Sequence, residues 1–235
     1  MKKLALLSVL TLLFFNFSAS AANLYFYGGD WEPNDPNANG LANGTSGGFP
    51  GDPYGSAVYQ NFVAGTGIHV TGLFTNNAIN YIPTSGYWEI RSGVSEGNGG
   101  TLVASGTGRV TNSPTGRSGF DYDEYNNTVS GLNVDLPANT YWFAVVPTCP
   151  TCEGLSYNTN SLHGVNAVGT QISDQQYWNS SYFGVNFTNA DNGILQGSTF
   201  SSGVYAYVTP EPSSLILLGS GLLGAAGVVR RRVRM

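Results

Sequence analysis

Short runs of alternating apolar and polar residues constrain the fold of this chain more than any other feature. Between Ile68 and Thr75 the two kinds of position largely alternate, and Trp88 and Ile90 alternate in the same way with Glu89 and Arg91. A period of two is typical of half-buried β-strands, because successive side chains point to opposite faces of a sheet. No internal stretch has the 3.6-residue period of an amphipathic helix, so the sequence predicts an all-β domain.

Further strands are predicted from aromatic and β-branched runs that are bounded by glycine and asparagine clusters. They are Leu24 to Tyr27, Ala57 to Val63, Thr101 to Ser105, Phe120 to Tyr125, Thr128 to Leu136, Tyr182 to Phe187 and Val204 to Val208. Tyr141 to Val146 is apolar at both parities, which predicts a central strand covered on both faces. Many short strands joined by turn-rich segments, such as Gly93 to Gly100 and Gly106 to Gly119, indicate an antiparallel β-sandwich of jelly-roll type. A closed barrel is the alternative.

The start of the chain has the pattern of a secretory signal. Lys2 and Lys3 precede the apolar stretch from Leu4 to Phe17, and Ala19-Ser20-Ala21 supplies small residues for signal peptidase. A basic start, a short apolar run and such a site predict a signal helix that is removed on export. We therefore expect a signal peptide over residues 1–22 and a single domain over residues 23–209.

Residues 210–235 combine a strand breaker, an apolar run and a basic end. Pro210-Glu211-Pro212 ends any preceding strand, because proline lacks a backbone N–H and has a fixed φ. The run from Ser213 to Val229 spans about 26 Å as a helix, which is short against a hydrocarbon core of about 30 Å. The basic end consists of Arg230, Arg231, Arg232 and Arg234. It predicts a membrane stop that stays on the cytoplasmic side of a transmembrane-type helix.

This order of elements resembles the PEP-CTERM sorting signal of Gram-negative bacteria that produce exopolysaccharide. The resemblance implies export through the inner membrane and processing near the tripeptide by an exosortase-type enzyme. The short, glycine-rich apolar run indicates temporary residence in that membrane. An ordinary C-terminal membrane anchor is the alternative, and either reading places the domain at the cell envelope, at the outer surface or outside the cell. The segments Tyr87 to Thr101 and Gly131 to Trp142 are similar to the passenger domains of acidobacterial-type PEP-CTERM proteins, for which no activity can be carried over.

The charge of the predicted domain is one-sided. Residues 23–209 contain 13 carboxylates against the three arginines Arg91, Arg109 and Arg117, a net charge of −10 without histidine. Such a surface repels nucleic acid and anionic lipid. We expect cations or neutral glycans as partners, and no nucleic acid.

Cys149 and Cys152 are the two cysteines of the chain. In an exported protein such a pair predicts a disulfide that closes a small loop. A redox centre is an alternative, but it requires the pair at the start of a helix in an α/β context. Zinc is another, and it requires two further ligands, while His69 and His163 are far apart in the sequence.

A polar stretch early in the domain has the spacing of a calcium loop. Asp35, Asn37 and Asn39 repeat the pattern in which alternate oxygen donors surround the ion, but Ser46 stands where the complete motif has a glutamate. The candidate calcium ligands are Asp30, Asp35, Asn37 and Asn39. A polar turn without metal is the alternative, and no other cofactor is expected.

Other carboxylates allow a weaker argument for chemistry. Asp121 and Asp123 share one face if they lie on a strand, which describes either a cation site or a solvated surface. The chain has no nucleophile elbow, metalloprotease motif, phosphate loop or dinucleotide fingerprint, and we predict that it is not an enzyme. A glycoside hydrolase needs only two facing carboxylates, for which Glu89, Glu124 and Glu153 are the candidates.

Aromatic rings beside amide side chains supply the chemistry of glycan binding. Trp31 and Trp178 are the candidate stacking rings, and core packing is the alternative role for both. The sequence therefore predicts an exported cell-surface or matrix protein with a structural or adhesive role, with exopolysaccharide as a partner. A carbohydrate-binding module is the alternative function, and a secreted glycoside hydrolase is a third.

Overall fold

The computed structural model describes residues 23–46, 55–149, 152, 154–190, 199–209, 219–223 and 230. The predicted signal peptide, the Pro210-Glu211-Pro212 tripeptide, Arg231, Arg232 and Arg234 lie outside these residues. Residues 219–223 are helical. In the part of the chain that is described, no helix combines the length and the apolar character needed to cross a membrane.

The described part of the domain consists of β-strands. In chain order they are β1 (Asn23–Tyr27), β2 (Gly40–Ala42), β3 (Thr45–Ser46), β4 (Ser56–Ala64), β5 (Ile68–Ile79), β6 (Ser85–Ser92), β7 (Thr101–Gly119), β8 (Tyr122–Leu136), β9 (Asn139–Cys149), β10 (Ser156–Ser161), β11 (Tyr177–Ser180), β12 (Val185–Asn189), β13 (Thr199–Phe200) and β14 (Ser202–Val208). Neighbouring strands are antiparallel, apart from β3, which runs parallel to β9. The prediction of an antiparallel all-β domain is confirmed.

The strands form one curled sheet, where the sequence predicts two stacked layers. Its hydrogen-bonded order is β1-β14-β5-β8-β7-β6-β9-β4-β11-β12, and the remaining strands pair beside this path. The curl brings Phe26 of β1 against Phe62 of β4 and Phe143 of β9, with ring centroids 6.0 and 6.2 Å apart. The domain is therefore a half-barrel whose inside is its core.

A large bulge in β8 interrupts its pairing with β5. The pairing of β5 with β8 steps from Val70 and Val134 to Gly72 and Ser130, so three residues of β8 lie opposite one residue of β5. Gly131 in the bulge has a φ of 76°, which glycine adopts without strain. Past the bulge β8 follows β5, whereas β7 pairs with β8 only from Val110 onward. Among the described strands, the part of β7 before Val110 is paired with β6 alone.

Apolar side chains cover both faces of β9. Alternate residues starting with Tyr141 pack inside the curl, in a cluster with Phe62 and Ile90. The residues between them, starting with Trp142, pack on the outer face with Tyr59 and Phe187. This confirms the prediction of a central strand covered on both faces.

Another part of the interior is polar, and Thr75 of β5 lies at its centre. The Thr75 hydroxyl donates to Asn77 Oδ1 at 2.8 Å, and it accepts from Asn158 Nδ2 of β10 at 2.6 Å and from the Ser202 hydroxyl of β14 at 3.3 Å. All four residues are buried. Because buried polar groups need partners, these bonds hold β5, β10 and β14 in one relative position.

We predict that Thr75→Val destabilises the protein by about 2 kcal/mol, because the substitution keeps the shape but leaves the buried Asn77 Oδ1 without its donor and removes one hydrogen bond each from Asn158 and Ser202. Thr107→Val, on an exposed position of β7, is the matched control and should change stability by less than about 0.5 kcal/mol. Urea unfolding of both variants measures the difference. Equal midpoints for the two variants would contradict the role given to Thr75.

Candidate functional site

Two segments that are distant in the sequence meet at one end of the sheet. They are the stretch after β1 that contains Trp31, and the hairpin between β7 and β8. The rings of Trp31 and Phe120 are stacked, with centroids 5.9 Å apart. Gly119 permits this approach, since a Cβ at that position would lie 2.6 Å from Cη2 of Trp31. The hairpin tip is thereby packed onto Trp31.

The turn of this hairpin has a strained backbone. Gly119 pairs with Tyr122, so Phe120 and Asp121 form a two-residue turn, with φ values of 56° and 65°. Such turns favour asparagine and glycine, and a bulky residue in this region costs about 1–3 kcal/mol. Phe120 is nevertheless 59% exposed. The predicted strand from residue 120 is corrected here, because Asp121 lies in the turn and does not share a strand face with Asp123.

Phe120 forms one wall of a cleft of about 200 Å³. Tyr122 and Tyr157 line it with ring centroids 6.0 Å apart, and Asn39 and Thr159 add polar groups. We call this set of five residues the aromatic cleft. Burial, and after it the neighbouring Tyr122, raise the pKa of Tyr157 above its usual range, so its hydroxyl stays protonated at neutral pH.

A buried charged network lies beneath the aromatic cleft. Thr159 donates to Glu124 Oε1 at 2.5 Å, and Glu124, which is 0% exposed, accepts from Arg117 Nε at 2.6 Å. Arg117 Nη1 also contacts Asp30 Oδ1 at 2.9 Å. Burial alone would lower the pKa of Arg117, but the Glu124 carboxylate raises it above its ordinary value. The arginine thus stays charged and joins two carboxylates under the cleft.

The four candidate calcium ligands have different surroundings. Asp30 is paired with Arg117. Asp35 Oδ1 accepts from the backbone N–H of Asn37 at 2.8 Å, and Asn39 Oδ1 accepts from the N–H of the next residue at 2.8 Å. No group of three or more acidic, histidine or cysteine side chains in the described residues is placed to hold a metal. Calcium binding by these four residues stays a prediction.

Both tryptophans that the sequence suggests for glycan stacking are buried. Trp31 is 2% exposed beneath Phe120, and Trp178 is 9% exposed and donates from Nε1 to the Ala42 carbonyl at 3.0 Å. Neither presents a ring face to a ligand, which corrects that prediction in favour of core packing. The exposed rings at the cleft were missed because Phe120 and Tyr122 fit a strand pattern equally well.

The second buried glutamate borders a separate cavity of about 380 Å³ between β4, β6 and the β11–β12 hairpin. Glu89 accepts hydrogen bonds there from two tyrosines and an arginine. We call this the glutamate cavity, and the residues that define it are Tyr59, Tyr87, Glu89, Arg91, Asn179 and Asn186. Among the described residues Glu89 is the one carboxylate in its lining, and the aromatic cleft has none. Glu153 lies outside the described residues.

Cys149 and Cys152 are joined in a disulfide at the end of β9, with Cα atoms 5.3 Å apart.

Each histidine lies beside a carboxylate, His69 at 2.7 Å from Asp135 and His163 at 2.9 Å from Glu32. The hydrogen bond and the charge of Glu32 raise the pKa of His163. Arg230, the described member of the predicted membrane stop, is exposed.

Comparison with protein families concerns the C-terminal end of the chain. The PEP-CTERM protein-sorting motif matches residues 208–232. The chain therefore carries a PEP-CTERM sorting signal, which implies export, processing by an exosortase and a location in the cell envelope or at the surface. A comparison with curated proteins found no match.

We predict that Arg117→Met destabilises the protein by about 3–5 kcal/mol, because it leaves the Glu124 carboxylate buried without a counter-charge. Arg109→Met is the matched control, since Arg109 is exposed and forms no ion pair with the described residues. Chemical unfolding gives both values, and Arg117→Met combined with Glu124→Gln should regain part of the loss. Equal stability of the two single variants would contradict the network.

Proposed function

We propose that this protein with a PEP-CTERM sorting signal is an adhesive, structural component of the cell surface or extracellular matrix, and that its exported domain holds neutral polysaccharide in the aromatic cleft. The observation that carries the proposal is Phe120, an exposed ring kept in a left-handed turn beside two further aromatic residues. Strained backbone is concentrated at binding and catalytic sites, where it positions a side chain.

The rings of the cleft suit a sugar chain. Exposed aromatic faces pack against the apolar C–H faces of pyranose rings, and tyrosine rings are rigid, so little conformational freedom is lost on binding. Asn39 and Thr159 supply an amide and a hydroxyl at the same cleft. The Asn39 Nδ2 group is a donor for sugar hydroxyls, whereas the Thr159 hydroxyl, which donates to Glu124, offers its oxygen as an acceptor.

Charge favours a neutral glycan over an acidic one. Glu124 below the cleft is neutralised by Arg117, whereas the exposed Asp121 and Asp123 beside the cleft form no ion pair with an arginine among the described residues. The domain as a whole carries the strongly acidic balance given by its sequence. A polysaccharide with uronic acids or phosphate groups is repelled by this field, and an uncharged chain is not.

The proposal assigns binding to this domain without catalysis and without a metal. Glu89 and Glu124 are each held by an arginine, in two different networks. Glycoside hydrolysis needs a facing pair of carboxylates. Among the described residues, neither the aromatic cleft nor the glutamate cavity is lined by such a pair. We interpret the half-barrel as a scaffold, one end of which carries the cleft.

We predict that Phe120→Gly lowers affinity for a neutral polysaccharide about tenfold, because it removes the exposed ring. Glycine accepts the left-handed conformation, so stability should be retained. Asp121→Gly is the matched control, since it makes the same change of backbone preference one residue later and keeps the ring. Affinity gel electrophoresis in hydroxyethylcellulose, glucomannan and dextran measures how strongly each variant is retained. Equal retention of the two variants in every gel would contradict the proposal.

The sorting signal gives a separate prediction. Replacing Pro210-Glu211-Pro212 by three alanines should leave an unprocessed chain in the inner-membrane fraction, because the exosortase loses the motif near which it acts. The unaltered protein should be found at the surface or in the medium without its last residues. Cell fractionation with mass spectrometry of the C-terminus separates the two results. An unaltered chain that stays intact to Met235 in the inner membrane would contradict processing.

A further inference from the structure

The glutamate cavity is a built site that the proposed function does not use. Tyr87, Glu89 and Arg91 are alternate residues of β6 and share one face of the sheet. Strand β9 runs between β6 and β4, and its Ala144 stands opposite Glu89. Because alanine is small, the Tyr59 hydroxyl of β4 reaches across β9 and donates to Glu89 Oε1.

On the polar wall of the cavity, the charge of Glu89 is neutralised by Arg91, and both oxygens of the Glu89 carboxylate accept hydrogen bonds. Arg91 Nε donates to Glu89 Oε1 at 2.8 Å beside Tyr59, while Tyr87 and Arg91 Nη2 donate to Oε2 at 2.9 and 3.1 Å. A carboxylate has about four acceptor positions, and all are used. Burial, followed by the charge of Glu89, raises the pKa of Tyr59 well above its usual range. Tyr59 thus remains a phenol, and its oxygen is an acceptor for a ligand.

The opposite wall, from the β11–β12 hairpin, carries amides. Asn186 Nδ2 donates to the Gly97 carbonyl at 2.9 Å, which leaves its Oδ1 as an acceptor. Asn179 makes no side-chain hydrogen bond to the described residues, so its amide offers both a donor and an acceptor. Arg91 is fixed by its bond to the Gly99 carbonyl at 3.0 Å and by the Phe187 ring, 5.3 Å from the guanidinium carbon. The site is formed before any ligand binds.

We propose that the glutamate cavity binds a single neutral sugar residue, and that this site is separate from the aromatic cleft. Sugar hydroxyls both donate and accept, which matches the Tyr59 phenol oxygen on one wall and the amides of Asn179 and Asn186 on the other. A charged ligand would lose its hydration without meeting an unpaired counter-charge. The volume of about 380 Å³ lies in the range of about 300–1,000 Å³ found for small-molecule sites.

Two sugar sites on one domain have a consequence for adhesion. A protein that holds one chain in the aromatic cleft and another sugar residue in the glutamate cavity links two chains, and linked sites raise the overall avidity. The choice of sugars as probes rests on the proposed function, but the two sites share no residue. Either proposal can therefore be contradicted while the other stands.

The experiment titrates the purified exported protein with free glucose, galactose, mannose and N-acetylglucosamine, followed by isothermal calorimetry and ligand-detected NMR. We expect at least one of them to bind with a Kd of about 1 mM. Asn179→Leu, which has a similar volume but no amide, should weaken that binding at least about tenfold. Asn186→Ala, at an exposed position, should weaken it in the same direction.

Phe120→Gly is the matched control, because it alters the aromatic cleft alone and should leave monosaccharide binding within about twofold. Binding of no sugar in the panel, or Asn179→Leu and Asn186→Ala variants that bind as tightly as the unaltered protein, would overturn the inference. Loss of polysaccharide retention in Phe120→Gly with intact monosaccharide binding supports both sites. Retention without monosaccharide binding leaves the proposed function standing and removes this one.

Discussion

A buried amide or hydroxyl has to find a hydrogen-bonding partner inside the protein, because leaving it unpaired costs about 1–3 kcal/mol. The curled sheet contains many such groups, and their pairing around Thr75 sets how β10 lies against β5. Asn158 of β10 points into this network, and successive strand residues face opposite sides. Its neighbours Tyr157 and Thr159 are therefore turned toward the aromatic cleft. The polar interior, more than the apolar core, determines where the cleft residues stand.

Positive charge is scarce in this domain, and two of its three arginines are used inside it. Arg117 neutralises Glu124 under the aromatic cleft, and Arg91 neutralises Glu89 in the wall of the glutamate cavity. A buried ion pair contributes little net stability compared with apolar packing, because both charges lose their hydration. What each pair does here is to orient neutral donors, Thr159 in one case and two tyrosines in the other. The surface meanwhile stays acidic, which is compatible with the uncharged ligands proposed for the aromatic cleft and the glutamate cavity.

The sequence predicts those strands whose buried face is apolar. Trp88 and Ile90 alternate with polar residues, and β9 is apolar at both parities, so both were predicted. Strand β10 was not, because its buried positions are asparagine, threonine and serine, a composition typical of loops. The glycines of residues 106–119 also suggested turns, yet this segment belongs to β7. Gly106 gives the Trp88 ring room there, since a Cβ would lie 3.1 Å from that ring. The sequence also did not predict which aromatic rings are exposed, because burial depends on tertiary contacts that no local pattern records.

A strained backbone and an unpaired polar group lie together at the rim of the aromatic cleft. Phe120 occupies a backbone region that favours glycine, and the indole N–H of Trp31 beneath it is buried without a partner among the described residues. Stacking of the two rings stabilises the fold by about 0.5–1.5 kcal/mol. This is comparable to the cost of the strained turn or of the unpaired N–H alone, and smaller than the sum of the two costs. Stability alone would favour asparagine or glycine in this turn and a smaller apolar residue under it. The arrangement is understandable if the position of the exposed ring matters more than the local free energy, as it does where a side chain must be ready for a ligand.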